Sequence, residues 1–106
     1  MAASEFATKL LPAIKLTLRE TGAEFDEEIK SYILAAASNL QIAGILPSFF
    51  DALRDCDPQI LQAIRLYCLS QFGLYNTDSE KYDRSYQSLK TLLCTNHYYT
   101  EESDGV

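Results

Sequence analysis

The sequence predicts an all-α protein, a compact bundle of about four helices in which the third, strongly apolar helix is central. Most of the 106 residues fall into segments whose apolar side chains recur at steps of three and four, the period of an amphipathic helix. Capping residues and glycines separate these segments, and no segment alternates apolar and polar residues as a half-buried strand does. A chain of this length is expected to form one domain.

The first helix is predicted to begin at Pro12, because a proline in the first turn of a helix sacrifices no hydrogen bond. Gly22 is a natural stop for it. Residues 1–11 are therefore treated as an N-terminal extension, which either starts a helix or forms a docking arm. The apolar face that spans this boundary contains Leu11, Ile14 and Leu18.

The second helix is predicted over residues 26–43, with Asp26 as its cap and Gly44 as its end. Its middle, "AAAS", carries only small side chains, which allow another helix to approach closely. That approach is either packing within the molecule or a contact between subunits. The apolar stripe of this helix comprises Ile29, Tyr32, Ile33, Ala36, Ala37, Leu40 and Ala43.

Residues 45–56, "ILPSFFDALRDC", form the least regular stretch. Pro47 favours a loop or a short helical turn. Phe49 and Phe50 are adjacent, and two adjacent side chains on a helix cannot both face one core. We expect one phenylalanine to fill the domain interior, while the other either contacts a partner or is simply an exposed aromatic residue, which is normal on a protein surface.

The third helix has the clearest start, because Asp57 can cap it and Pro58 suits its first position. Gly73 is predicted to close it. Arg65 is the only charged residue between positions 60 and 72, and a helix that is apolar nearly all round is buried on several sides. The predicted core residues of this helix include Ile64, Tyr67 and Cys68.

The fourth helix is predicted to open with a capping box formed by Thr77 and Glu80. The helical domain is therefore predicted to span residues 12–95. Residues 96–106, "NHYYTEESDGV", show no period and carry several carboxylates, so we expect a flexible acidic C-terminal tail. The apolar face of the fourth helix comprises Tyr82, Tyr86, Leu89 and Leu93, of which Tyr86 and Leu89 are assigned to the core.

The net charge of −6 disfavours several classes of partner. Affinity for a nucleic-acid backbone rests on cationic side chains, and so does affinity for an anionic membrane surface. A helix-turn-helix DNA reader is a distant alternative only, because the central helix is too apolar to lie in a major groove. No apolar run is long enough to span a bilayer and the first residues do not resemble a signal peptide, so a cytoplasmic location is expected.

Catalytic and metal-binding patterns are missing from the sequence. Cys56, Cys68 and Cys94 match no zinc or redox spacing, and the single His97 has no partner ligand near it in sequence. There is no glycine-rich phosphate loop and no defensible catalytic triad. We therefore predict no enzyme activity, no cofactor and no metal site. The residues alone indicate a small acidic helical protein with surplus apolar surface, suited to be an assembly subunit.

The order of motifs resembles the head–tail connector, or adaptor, proteins of tailed bacteriophages and prophages. The similarity covers residues 12–93. "LPAIKLTLRET" is followed by "FDEEIKSYILAAASNLQIAGI", an acidic cap leading to small residues and A-G-I. "DPQILQAIRLYCLSQFG" is followed by "NTDSEKY" and "SYQSLKTLL". The extension before Pro12 and the Tyr98–Tyr99 tail depart from this pattern.

This resemblance implies a structural subunit that assembles below the portal protein as a ring, of about twelve copies (a dodecamer) in the virion. Such a ring extends the DNA channel and provides a platform for stopper, head-completion or tail-completion proteins, while DNA passes without sequence-specific binding. The implied location is the virion neck, with assembly in the bacterial cytoplasm. It also implies that the C-terminal segment reaches the portal, which assigns portal docking to His97, Tyr98 and Tyr99.

A ring of identical subunits uses heterologous contacts, in which one face meets a different face of the neighbour. Each subunit then needs two distinct apolar patches outside its core. The candidate interface residues are Leu11 and Ile14 on the side of the first helix, and Phe49 and Phe50 in the 45–50 loop after the second helix. The alternative function is a small acidic helical binding module or regulator that acts on another protein as a monomer or dimer.

Overall fold

The computed structural model describes residues 2–72 and 78–101, and every regular element in these ranges is a helix. Within these two ranges, five α-helices and one 3₁₀ turn follow one another. The prediction of an all-α fold is confirmed. The elements are α1 (Ala2–Leu18), α2 (Asp26–Ile42), the 3₁₀ turn (Pro47–Phe50), α3 (Pro58–Gln71), α4 (Ser79–Cys94) and α5 (His97–Thr100).

Helix α3 is the centre of the bundle, since it packs against α1, α2 and α4. Four of its side chains are buried completely, as its nearly uncharged sequence predicts. The radius of gyration is 13.8 Å, close to the value of roughly 13 Å expected for a folded domain of about 100 residues. The buried residues of α3 are Ile60, Ala63, Ile64 and Cys68.

Contacts at the helix ends show the directions of α2, α3 and α4 relative to one another. The end of α1 meets the start of α2, where Lys15 Nζ lies 2.8 Å from Asp26 Oδ1. The start of α2 meets the end of α3, where the rings of Phe25 and Phe72 are 5.5 Å apart. The segment after α4 returns to the residue that caps the start of α3. Consequently α2 and α4 are both antiparallel to α3 and parallel to each other.

The prediction that the first helix begins at Pro12 is wrong, because α1 begins at Ala2 and continues through Pro12. Phe6, Leu10 and Ile14 recur every four residues and are all buried, so burial of this stripe extends the helix toward the N-terminus. Pro12 is exposed, and the helix tolerates it on its solvent side. The predicted extension 1–11 is therefore not separated from α1 by any break in the helix.

Helix α1 also ends earlier than Gly22. Arg19 adopts a left-handed conformation with φ of 60°, and the Glu20 amide donates to the Lys15 carbonyl at 2.9 Å. This backbone pattern terminates helices by satisfying their last carbonyl groups. A non-glycine residue thus performs the stop that the sequence assigned to a glycine.

The predicted cap of α2 is wrong in its detail. Asp26 is the first helical residue, and its carboxylate pairs with Lys15 rather than accepting from the backbone of its own helix. The acidic first turn still suits the positive end of the helix dipole. At the other end, Gly44 has φ of +117°, a conformation that L side chains rarely adopt, and α2 stops before it as predicted.

The start of α3 agrees with the sequence. The Asp57 side chain accepts hydrogen bonds from the amides of Gln59 at 2.8 Å and Ile60 at 3.3 Å, and Pro58 occupies the first position. The capping box assigned to Thr77 and the stop assigned to Gly73 lie outside the described residues. Helix α4 begins at Ser79.

The structure differs from the expected mobile tail over residues 96–101. The Asn96 side chain accepts from the Tyr98 amide at 2.9 Å and caps the one-turn helix α5. Tyr99 is only 7% exposed, and its carbonyl accepts from the Leu46 amide at 2.9 Å. Packing of Tyr99 against residues that are distant in the sequence therefore orders residues 96–101, although this segment has no apolar periodicity. The acidic residues from Glu102 onward lie outside the described residues.

Candidate functional site

An apolar groove of about 640 Å³ lies between α1, α2 and the 3₁₀ turn, and we call it the α2 groove. The rings of Phe6 and Phe50 meet there edge to face, with their centroids 5.6 Å apart. Both phenylalanines are buried, so they belong to the wall of the groove and not to a loose surface. The remaining lining residues are Leu34, Ala37, Ser38, Gln41, Ile42 and Pro47.

The α2 groove lies in the one long stretch of the chain that carries no charge. The sequence contains no charged residue between Lys30 and Asp51. At the rim, Ile42 is 82% exposed, although it is a large aliphatic residue. Depletion of charge around an exposed apolar side chain is typical of the centre of a protein–protein interface.

A second surface forms around three aromatic side chains, Phe49, Tyr98 and Tyr99, which we call the aromatic cluster. The Phe49 ring lies 5.6 Å from that of Tyr98 and 5.1 Å from that of Tyr99. Tyr98 is 66% exposed, while Phe49 is half-buried. Arg54 and His97 line a shallow depression beside it.

Tyr99 anchors the aromatic cluster to the body of the protein. Its hydroxyl donates to Asp57 Oδ1 at 3.1 Å, the same carboxylate oxygen that caps α3. Burial, together with this hydrogen bond to a carboxylate, raises the pKa of Tyr99 to about 12. The phenol therefore remains a neutral donor at physiological pH and holds α5 against the start of α3.

A third surface lies on the outer side of α4. Leu92 is 67% exposed, and Ser85 and Ser88 precede it on the same side. A shallow groove of about 430 Å³ follows these residues, and Lys81 and Arg84 line its N-terminal end. Apolar and cationic side chains thus share one face of a protein whose net charge is −6.

The two predicted interface patches, Leu11 with Ile14 and Phe49 with Phe50, are largely taken up by the core. Ile14 is fully buried and Phe50 is 8% exposed, so both belong to the core rather than to an available interface. Leu11 is half-buried against the same core. Phe49 alone extends to a second surface, where it meets the two tyrosines. Ile14 is buried because the apolar stripe of α1 packs into the core of the subunit.

The three residues assigned to portal docking are divided by the structure. The side chain of His97 is 80% exposed, and its Nδ1 lies 3.6 Å from Glu101 Oε2. Tyr98 is also exposed, whereas Tyr99 is a core residue and its assignment to a docking tail does not fit its position. Adjacent tyrosines on a helical turn face different directions. The sequence analysis expected a flexible tail here and not a helical turn, so it did not separate the two tyrosines.

The seven residues assigned to the core lie in or against it. Two of them are only partly buried and pack on its edge, namely Tyr67 and Leu89. The ring of Tyr67 contacts that of Tyr86 edge to face, with 5.3 Å between centroids. The other five are buried: Ile33, Leu40, Ile64, Cys68 and Tyr86.

The three cysteines are free thiols in or beside the core. Burial raises the pKa of the Cys56 thiol to about 11 and that of the Cys68 thiol to about 12. Such thiols are protonated and weakly nucleophilic at neutral pH. Among the described residues, no group of three or more His, Cys, Asp or Glu side chains is placed to hold a metal ion.

Several exposed apolar residues escaped the sequence reasoning. Ile42 and Leu92 lie outside the apolar stripes predicted for their helices and were assigned no role, and Leu53 belongs to an irregular loop. For Ile42, the available signal was the uncharged run from Ser31 to Phe50. Leu16 is likewise 81% exposed.

Within residues 2–72 and 78–101, no helix is both long and apolar enough to cross a bilayer. Comparison with known proteins finds a match to a family model described as "Phage connector protein", over residues 10–100. No curated protein and no solved structure matches the chain. The family match supports a structural role of the connector type, in assembly with other virion proteins. On this match, which spans most of its length, the chain belongs to the phage connector protein family.

Proposed function

We propose that the protein is a head–tail connector subunit that forms a ring below the portal. The ring extends the DNA channel and presents a platform for stopper or tail-completion proteins. The observation that carries this proposal is the connector-family match over residues 10–100. The proposed location is the virion neck, after assembly in the host cytoplasm.

The surface of the subunit supports assembly. Exposed apolar side chains lie on different helices, with Ile42 at the end of α2 and Leu92 on α4. Large apolar side chains on separate faces suit heterologous contacts, which close into a ring when the rotation between neighbours allows it. The same features are costly in a protein that stays monomeric.

The charge of the protein supports passage of DNA. Fifteen carboxylates and nine Lys and Arg residues leave a net charge of −6 in each subunit. A ring of such subunits repels the phosphate backbone, so DNA can move through the channel without sequence-specific binding.

The aromatic cluster is the proposed contact with the portal. Tyr98 is its exposed member, and the exposed His97 and Arg54 lie beside it. Tyrosine and arginine are the residue types enriched at the energetic centres of protein interfaces. Tyr99 acts here as the anchor that positions the other two, and not as a contact residue.

Sedimentation velocity tests this function, with the protein alone and mixed with the portal protein of the same phage. We expect assembly into rings, or binding to the portal. Tyr98→Ala should weaken portal binding by about tenfold or more without changing the melting temperature, because Tyr98 is mostly exposed. Leu53→Ala is the matched control, since Leu53 is 92% exposed and lies outside the cluster.

The opposite result is equally clear. A protein that stays monomeric at every concentration and ignores the portal would contradict the connector proposal. It would favour the second function, a small helical binding module or regulator that acts on a different protein.

A further inference from the structure

Two largely exposed stripes on different helices have the same spacing, and Leu34 alone among their members is partly buried. The α2 stripe consists of Glu27, Ser31, Leu34 and Ser38, and the α4 stripe consists of Lys81, Ser85, Ser88 and Leu92. Each follows the pattern i, i+4, i+7, i+11, which keeps side chains on one face of a helix. On both helices the first and last members are separated by about 16 Å along the axis.

The two stripes carry opposite charges at the same end. Glu27 begins the α2 stripe, and its side chain is 90% exposed even though one oxygen lies 3.1 Å from Lys30 Nζ. Lys81 begins the α4 stripe, and Arg84 lies beside it along the same shallow groove. Charge complementarity at the N-terminal ends therefore favours a parallel pairing of the two helices.

The far ends of the stripes are complementary in shape. Ser38 lines the α2 groove, next to the exposed Ile42. Leu92 is a protruding apolar side chain at the matching position of α4. In parallel register, Lys81 meets Glu27 and Leu92 meets the groove at Ser38. The serines between these ends are small enough for the helices to approach closely.

The directions of the helices allow this pairing between identical copies. Helices α2 and α4 are parallel to each other within one subunit, because each is antiparallel to α3. Rotation about an axis that runs along the helices does not change their direction. Copies related by such a rotation therefore place α4 of one subunit parallel to α2 of the next.

We propose that the α4 stripe of one copy packs in parallel on the α2 stripe of the next copy, with Leu92 entering the α2 groove. This inference rests on the proposed ring, and it specifies which two faces meet. The occupant is a second copy because both complementary halves belong to this chain. Parallel pairing of α2 in one copy with α2 in another copy would instead place two Glu27 side chains opposite each other, and the repulsion between these like charges is unfavourable.

Disulfide trapping tests the proposed contact. The double variant Ser38→Cys/Leu92→Cys is oxidised with copper–phenanthroline and run on a non-reducing gel. Each copy then offers both halves of the contact, so we expect a ladder of covalent multimers. A mixture of the two single variants should stop at the dimer. The unmodified protein, with its three native cysteines, is the control and should give no ladder.

Charged substitutions provide an independent measurement. Leu92→Lys should raise the dissociation constant of self-association by about tenfold or more, because it places a cation in an apolar groove. Leu16→Lys is the matched control on α1, with Leu16 at 81% exposure and Leu92 at 67%. Both side chains are exposed, so circular dichroism should report a folded protein in each case.

The outcomes separate this inference from the proposed function. A ladder supports the stripe-on-stripe contact. Multimers that form without a ladder, and that Leu92→Lys leaves intact, overturn the contact while leaving the connector function in place. A protein that never self-associates, even with its portal, overturns both.

Discussion

At the residue scale, Tyr86 shows how a polar group is accommodated inside a helical core. The side chain is 1% exposed, and its hydroxyl donates to Asn39 Oδ1 at 2.5 Å. Lys90 Nζ donates to the same oxygen at 3.2 Å and lies 5.5 Å from the centre of the Tyr86 ring. Burial raises the pKa of Tyr86, so the phenol remains a donor. The three residues join α2 to α4 without burying an unpaired group.

We predict that Tyr86→Phe lowers the free energy of unfolding by about 1 kcal/mol. The ring and its packing stay, while one buried hydrogen bond is lost and Asn39 retains only Lys90. Urea denaturation measures the change. Tyr98→Phe is the control, since Tyr98 is mostly exposed and should shift stability by less than about 0.5 kcal/mol. Equal effects from the two variants would contradict the role assigned to the Tyr86 hydroxyl.

At the element scale, Pro12 destabilises helix α1, and packing against the rest of the protein compensates for this. Pro12 lies inside the helix and has no amide hydrogen to donate to the carbonyl of Thr8 one turn earlier. The burial of Phe6 and Leu10 on the N-terminal side of this position offsets the loss. The first turns of α1 are thus held by tertiary packing, more than by their own helix propensity.

We predict that Pro12→Ala raises the free energy of unfolding by about 1–3 kcal/mol, because it restores the missing hydrogen bond and removes a steric conflict. Thermal unfolding followed by circular dichroism measures the gain. Pro58→Ala is the matched control, since Pro58 occupies the first position of α3, where no such bond is gained. A destabilised Pro12→Ala variant would mean that α1 needs the proline.

The contrast between helices shows which element boundaries the sequence could predict. The start of α3 depends on Asp57 and Pro58, which act within one helical turn and are visible locally. The start of α1 depends on Phe6 reaching Phe50, and the order of α5 depends on Tyr99 reaching Asp57. Such partners are more than forty residues away in sequence, so no local pattern reveals them.

The candidate surfaces also depend on contacts between residues that are distant in the sequence, so local patterns predict them only in part. The adjacent phenylalanines could be predicted to separate, one toward the core and one outward, but not in which order. The structure places Phe50 inside and Phe49 against the tyrosines. Ile14 was assigned to an interface because its stripe seemed to exceed the needs of a small core. The core of this protein uses the whole stripe.

At the scale of the whole molecule, the buried thiols make stability depend on alkaline pH. A thiol with its ordinary pKa of 9.0 loses its proton from about pH 9 in the unfolded chain. In the folded protein, burial raises the pKa of Cys56 to about 11 and that of Cys68 to about 12. Between pH 9 and the raised pKa values of about 11 and about 12, the folded state therefore binds more protons than the unfolded state. The stability of the folded protein consequently falls as the pH rises through this range.

We predict that the melting temperature is constant from pH 7 to about pH 8.5 and then falls steadily toward pH 11. Cys68→Ala should reduce that fall without abolishing it, because it removes the thiol with the larger pKa shift while Cys56, Tyr86 and Tyr99, whose pKa values are also raised, remain. Differential scanning calorimetry at closely spaced pH values measures the slope. Cys94→Ala keeps both of the other thiols and should preserve the fall. An unchanged slope in Cys68→Ala would contradict the assignment.

The connection between α2 and α3 is held by hydrogen bonds from both the first helix, α1, and the last helix, α5. The Lys9 ammonium donates to the carbonyls of Ala52 and Arg54, 43 and 45 residues away, and the Tyr99 hydroxyl reaches Asp57 across 42 residues. Each attachment closes a long loop, and loop closure has an entropic cost that only the finished structure offsets. The native shape of this connection therefore depends on the first and the last helix both being in place.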